Sequence, residues 1–262
     1  MPELVVNQAA GLMGLGVPLG SQLIPVVSHG DENAELPLLW RLCGALVNLG
    51  YLVTVLDATQ QEDDENPGLG HMLEYCTGRR GSDPDAPQWN VVPAAKGIQN
   101  LCENQKNKAA SLQKISQLFP ANSVIVLFAN ANTLTTLLGN SRAQPLLAVS
   151  TAKRSLLSSY LALKRLLIGG NLEPLILHMI GNNAHSLHRS ADAMAQLEAC
   201  AKNFLGYDVN AMSIHYSTSE ESISEEVRPI AMCLLDRAVP LWSDVSLPLI
   251  HEALTTQSTR SH

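Results

Sequence analysis

Charge and aromatic rings are what this chain has least of. Only 16% of its 262 residues are Asp, Glu, Lys or Arg, and aromatics make up 4%. No basic block is present: the densest pairs, Lys153-Arg154 and Lys164-Arg165, stand a helix-length apart in a chain of net charge −7. Neutralising a nucleic-acid backbone takes a basic stripe, so the composition speaks against nucleic acid as a partner. The five cysteines (Cys43, Cys76, Cys102, Cys200, Cys233) are odd in number and form no CxxC pair. With no signal-peptide pattern at the start, that reads as a cytoplasmic protein of a reducing compartment, holding buried free thiols. No apolar run approaches the roughly 18–20 residues that cross a bilayer. The protein is therefore expected to be soluble, or at most peripheral.

What the chain does have is aliphatic bulk. Apolar residues reach 46%, an excess suited to a sheet covered by helices on both faces. The length allows one substantial core, and one domain is expected over residues 21–242, between an N-terminal leader (1–20) and a polar C-terminal tail (243–262). Residues 23–57 read as a βαβ unit: a buried strand (23–27), a polar loop, an apolar helix (about 35–49) with Pro37 near its first turn, and a second buried strand (51–56). An acidic loop follows (58–67), then a short helix (70–77), a turn-rich loop (78–87), a strand (89–92) and a long amphipathic helix (97–118). Both loops are expected to be mobile. Strands at 123–129, 145–150, 175–180 and 211–215 alternate with helices at 133–138, 153–168, 191–204 and 222–236. Strands separated by helices imply a doubly wound, mostly parallel α/β sheet.

The loop after the first strand of such a sheet commonly holds nucleotide phosphates, because helix N-terminal amides face it. Here that stretch reads Ser28, His29, Gly30, Asp31, Glu32, Asn33, Ala34, Glu35, Leu36. Acids stand where a phosphate cradle needs glycines and a lysine. His29, Asp31, Glu32 and Glu35 can be read as a metal cluster, but their spacing matches no metal template. The preferred reading is an exposed acidic loop that caps the helix, where negative charge is favourable. His178, His185 and His188 invite metal or acid–base readings; solvent-facing polar positions are preferred. No Gly-x-Ser-x-Gly elbow supports nucleophilic catalysis. No catalytic residue, metal or cofactor is expected.

Three stretches resemble the MinD/ParA-type deviant P-loop ATPases, and within them the flagellar-number regulators of the FlhG (FleN) type. Residues 24–58 lie without gaps on that family's pattern of strand, Walker A loop, helix, Leu-Gly-Tyr turn, strand and closing Asp. Trp89 to Gly97 is similar to its strand-then-PAxxG segment. Asn7-Gln8-Ala9-Ala10-Gly11-Leu12 resembles the DQAxxLR element through which FlhG-type proteins contact the FlhF-type GTPase. That likeness offers Asn7, Gln8 and Leu12 as partner-binding residues, although Asn7 replaces the family's acid and Met13 its Arg. The alternative is a leader that covers the sheet edge.

Set against the family pattern, Gly30 stands at the signature lysine, Glu35 at the P-loop lysine and Leu36 at the magnesium-binding hydroxyl. Thr59 replaces the switch aspartate, Phe128 the Walker B aspartate and His178 the purine-contacting asparagine. Each loss removes a distinct job in phosphoryl transfer. Like charges about 4 Å apart at an effective dielectric of about 20 repel by roughly 4 kcal/mol, so the acids should expel a polyphosphate. The resemblance thus implies a pseudo-ATPase: a non-catalytic scaffold in flagellar number or placement control, with an FlhF-type GTPase or a MinD-like paralogue as partner. Residues 239–254, with Pro240 and Pro248 and few cations, make a poor membrane anchor. Two alternatives remain: an active ATPase with a rebuilt site using Lys96, Lys153 or Arg154, and a MinD-like regulator of exopolysaccharide secretion.

Overall fold

The structure, a computed structural model, describes residues 20–63, 65–75, 89–103, 108–180, 184–215 and 220–241, with the side chains of 75, 184–190 and 220–225 outside that description. An eight-stranded sheet forms its centre. The strands are β1 (Ser21–Ser28), β2 (Leu52–Asp57), β3 (Trp89–Pro93), β4 (Ser123–Asn130), β5 (Leu146–Val149), β6 (Leu175–Ile180), β7 (Ala211–His215) and β8 (Val239–Leu241). Their order is β3-β2-β4-β1-β5-β6-β7, all parallel, and β8 adds antiparallel to the start of β1. The helices are α1 (Glu32–Asn48), α2 (Leu69–Tyr75), α3 (Ala95–Glu103), α4 (Lys108–Ser116), α5 (Ala131–Leu138), α6 (Lys153–Lys164), α7 (Ala184–Leu205) and α8 (Glu220–Asp236).

Because side chains alternate along a strand, β1 feeds two cores. Leu23 and Val27 join one face with α2 to α7, while Ile24 and Val26 join the other with α1 and α8. Strands apolar on both faces require cover on both, which is why the central ones read as unbroken aliphatic runs. The expected doubly wound, mostly parallel α/β domain is the observed one.

Several boundaries differ from the sequence reading. α1 begins at Glu32, three residues early, so Pro37 lies inside the helix, beyond its first turn. The expected helix 97–118 is described as α3 and α4, with 104–107 outside the described residues. α6 continues into a π turn, Arg165–Gly169, and α7 starts at Ala184. At three residues, β8 is too short to leave a periodic signal. The NQAAGL stretch with Asn7, Gln8 and Leu12, the whole of loop 78–87, and the tail all lie outside the described residues.

Candidate functional site

Loop 28–35 joins the C-terminal end of β1 to α1, and it is organised around a carboxylate. Asp31 precedes the helix, and its carbonyl accepts the first-turn amides of Ala34 and Glu35 at 2.9 Å each. Gly30 has φ +89°, a left-handed conformation that L side chains rarely adopt. A left-handed residue between its neighbours turns successive amides toward one point. The point is occupied by Glu35: its Oε1 accepts from the amides of His29 (2.8 Å) and Asp31 (2.9 Å), and its Oε2 accepts from Ser28 Oγ (3.2 Å). Glu35 is 1% exposed.

This corrects the expectation of an exposed acidic loop. Glu35 and Asp31 are buried, and only Glu32 of the three acids is exposed. The charge estimate counted repulsion among acids and left out the amides that neutralise one of them. A buried carboxylate is sustained by charge-assisted hydrogen bonds and by the positive end of a helix, and Glu35 has both. The geometry is that of an anion cradle with the chain's own anion in it.

His29 fastens the loop to α6. Its Nε2 donates to the carbonyl of Ala148 at the end of β5 (2.7 Å), its Nδ1 lies 2.8 Å from Ser158 Oγ, and Ser159 Oγ is 3.4 Å from Nε2. Glu35 Oε1 stands 3.5 Å from Nε2, with both side chains 2% exposed. Serine, histidine and glutamate thus meet in space, but the imidazole is enclosed and already satisfied by a backbone carbonyl. The arrangement is a staple. Sequence reasoning missed Ser158 and Ser159; their only trace is a pair of hydroxyls interrupting the leucine spacing of α6.

The other singled-out positions fall as follows. Thr59, exposed after β2, donates its amide (2.9 Å) and hydroxyl (2.6 Å) to Asp57 Oδ1, a local turn that occupies that carboxylate. Phe128 is 4% exposed and fills the α1 face of the sheet beside Val26. His178 lies within β6 at 2% exposure, and burial lowers its pKa below the usual imidazole value. It is therefore a core histidine, contrary to the solvent-facing expectation; His185 and His188 have side chains outside the described residues. Leu36 is half exposed at the α1 surface. Asn33 is exposed and Ala34 buried. Among the described residues no group of three His, Cys, Asp or Glu forms a metal-holding cluster.

A second carboxylate repeats the device. Glu62, from the acidic loop expected to be mobile, accepts from the amides of Gly70 and Gly97 at 2.7 Å each and so bridges α2 and α3. Lys96 lines a cavity of about 390 Å³ with Glu62, Asp63, His71 and Glu74, none of which belongs to loop 28–35. Lys153 and Arg154 are exposed at the start of α6. Among the described residues no hydrogen bond or ion pair joins Lys96, Lys153 or Arg154 to the loop.

Glu35 occupies the amides of His29 and Asp31, and Leu36, at the start of α1, has no hydroxyl to offer a metal.

No protein-family model matches the chain, and no curated protein matches it. Solved structures do. A cobyrinic acid a,c-diamide synthase from Mycobacterium smegmatis, with bound ADP and magnesium, superposes with a TM-score of 0.55 at 14% identity, covering 85% of this chain and 99% of the other. A plasmid partition protein from Borrelia burgdorferi gives 0.52 at 14% identity over 82% and 99%. The MinC:MinD cell division complex of Aquifex aeolicus gives 0.50 at 12% identity over 84% and 98%. At such identities the likeness is one of fold: the chain shares the P-loop-type α/β architecture of MinD-like and partition proteins over most of its length. No helix among the described residues is long and apolar enough to cross a membrane.

Proposed function

We propose that this chain is a non-catalytic relative of the MinD/ParA-type ATPases, of FlhG (FleN) character, that works in the cytoplasm by binding other proteins. The single observation that carries the reading is the Glu35 carboxylate on the amides of His29 and Asp31. Where phosphate-binding loops offer amides to a nucleotide, this loop satisfies them internally. The loop has no lysine to neutralise a phosphate, and Leu36 has no hydroxyl to hold magnesium. The function is therefore assigned to surfaces, and flagellar number or placement control is the process to which the NQAAGL resemblance points. A MinD-like protein solved with its partner MinC supports protein partners for such folds.

Phosphate release from ATP with magnesium, measured on the purified chain, is expected to match the protein-free rate. Turnover abolished by Lys153→Ala or Arg154→Ala would instead support a rebuilt site. The partner is expected to be an FlhF-type GTPase or a MinD-like paralogue. Deleting residues 1–20 should abolish capture of a purified FlhF-type GTPase while leaving the fold intact by circular dichroism; undiminished capture would remove Asn7, Gln8 and Leu12 from the interface.

A further inference from the structure

The opposite end of the sheet carries an unassigned cavity, and topology explains why it is there. On one side of β1 the neighbouring strand changes: β8 pairs with residues Ser21 to Leu23, and β5 takes over at Val26. Pro25, which has no amide to donate, falls between the two. The segment entering β5 and Arg237, two residues before β8, therefore converge at a seam. Ser141, Arg142, Ala143, Gln144 and Arg237, with Asn171 and Glu173 leading into β6, line a cavity of about 400 Å³ there.

The cavity is built rather than incidental. Gln144 is only 8% exposed, and its Oε1 accepts from Arg237 Nη1 at 3.0 Å, so a buried amide fixes the guanidinium at the wall. Asn171 holds a left-handed turn at the rim with φ 49°, its amide bonded to Leu167 O, and Gly170 O receives the amide of Asn140 at 2.7 Å. Among the described residues neither arginine forms an ion pair. In a chain of net charge −7, this recess gathers two guanidinium groups against one carboxylate.

We propose that this cavity binds a small zwitterion of the α-amino-acid class, with its carboxylate on Arg142 and Arg237 and its ammonium toward Glu173. Guanidinium donors match a planar carboxylate bidentately. Glu173 is the discriminating group: it repels a phosphate dianion and rewards an adjacent cation. Ser141 and Asn171 add neutral hydrogen-bonding groups, and the volume suits a small molecule rather than a nucleotide with its metal. The site lies at the N-terminal end of the parallel strands, away from loop 28–35, and does not depend on what that loop does.

Calorimetric titration of the full chain with each of the twenty common L-amino acids, with acetate and with inorganic phosphate tests the assignment. At least one amino acid should bind saturably with a Kd below about 1 mM. Arg142→Ala, at an exposed position that forms no ion pair among the described residues, should weaken that binding at least about tenfold. Glu173→Gln should shift preference toward acetate and phosphate. The proposal is overturned if no amino acid binds saturably, if Arg142→Ala and Glu173→Gln leave binding unchanged, or if acetate and phosphate bind the unaltered chain as tightly as the amino acid.

Discussion

Both backbone donors to Glu35 converge on one oxygen, Oε1, and that convergence separates two substitutions. Glu35→Gln keeps a carbonyl oxygen for the two amides and gives up the charge, for a loss of about 1 kcal/mol. Glu35→Ala strands both amides in a buried loop and should cost about 2–4 kcal/mol. Denaturant titration of the three proteins checks the ranking, and equal losses would mean that charge alone matters. Burial at Cys43 pushes its thiol up to about 12, so it stays protonated at neutral pH. A thiol reagent at pH 8 should therefore modify exposed Cys200 in the native protein and reach Cys43 only on unfolding, read by peptide mass spectrometry. His178 titrates the other way. Its folded pKa is lowered by burial from 6.5, so the unfolded chain takes the proton first as pH falls. Its contribution to stability is complete above pH 6.5 and is lost as the pH drops below that value. The melting temperature should fall less between pH 7 and pH 5 in His178→Gln than in the unaltered chain. These roles were hidden in the sequence because spacing gives a residue's position but not its partners: Glu35 read as repulsion, and His178 as a surface group.

Elements were more legible than side chains. The βαβ frame of β1, α1 and β2 was visible in the aliphatic runs and the Leu-Gly-Tyr turn, because buried parallel strands have to be apolar on both faces. Ends were less visible: α1 starts at Glu32 because Asp31 O accepts two first-turn amides, a backbone event with no residue-type signature. The join between α2 and α3 was not legible either. It depends on glycines that let backbones touch, since a Cβ on Gly97 would lie 2.7 Å from Gly70 N and 2.9 Å from Leu69 C. Backbone cannot yield as a flexible side chain can. Gly97→Ala should therefore force α2 and α3 apart, disturb the Glu62 bridge and destabilise the protein by about 1–3 kcal/mol, measured by thermal and denaturant unfolding. An unchanged melting temperature would show that the helix pair has slack.

For the whole molecule, the sheet order β3-β2-β4-β1-β5-β6-β7 and its likeness in fold to a plasmid partition protein describe a doubly wound, mostly parallel α/β architecture. Loop 28–35 fills its own anion cradle, and position 36 lacks the metal-binding hydroxyl. The frame is held by two aliphatic cores, one on each face of the sheet. Under the proposed function, binding falls to the surfaces of this frame. Equilibrium binding of ATP with magnesium, measured by isothermal titration of the full chain, tests this most directly. The predicted result is no saturable binding tighter than about 1 mM. A Kd below about 10 µM would show that Glu35 yields its amides to a phosphate, and would contradict the account.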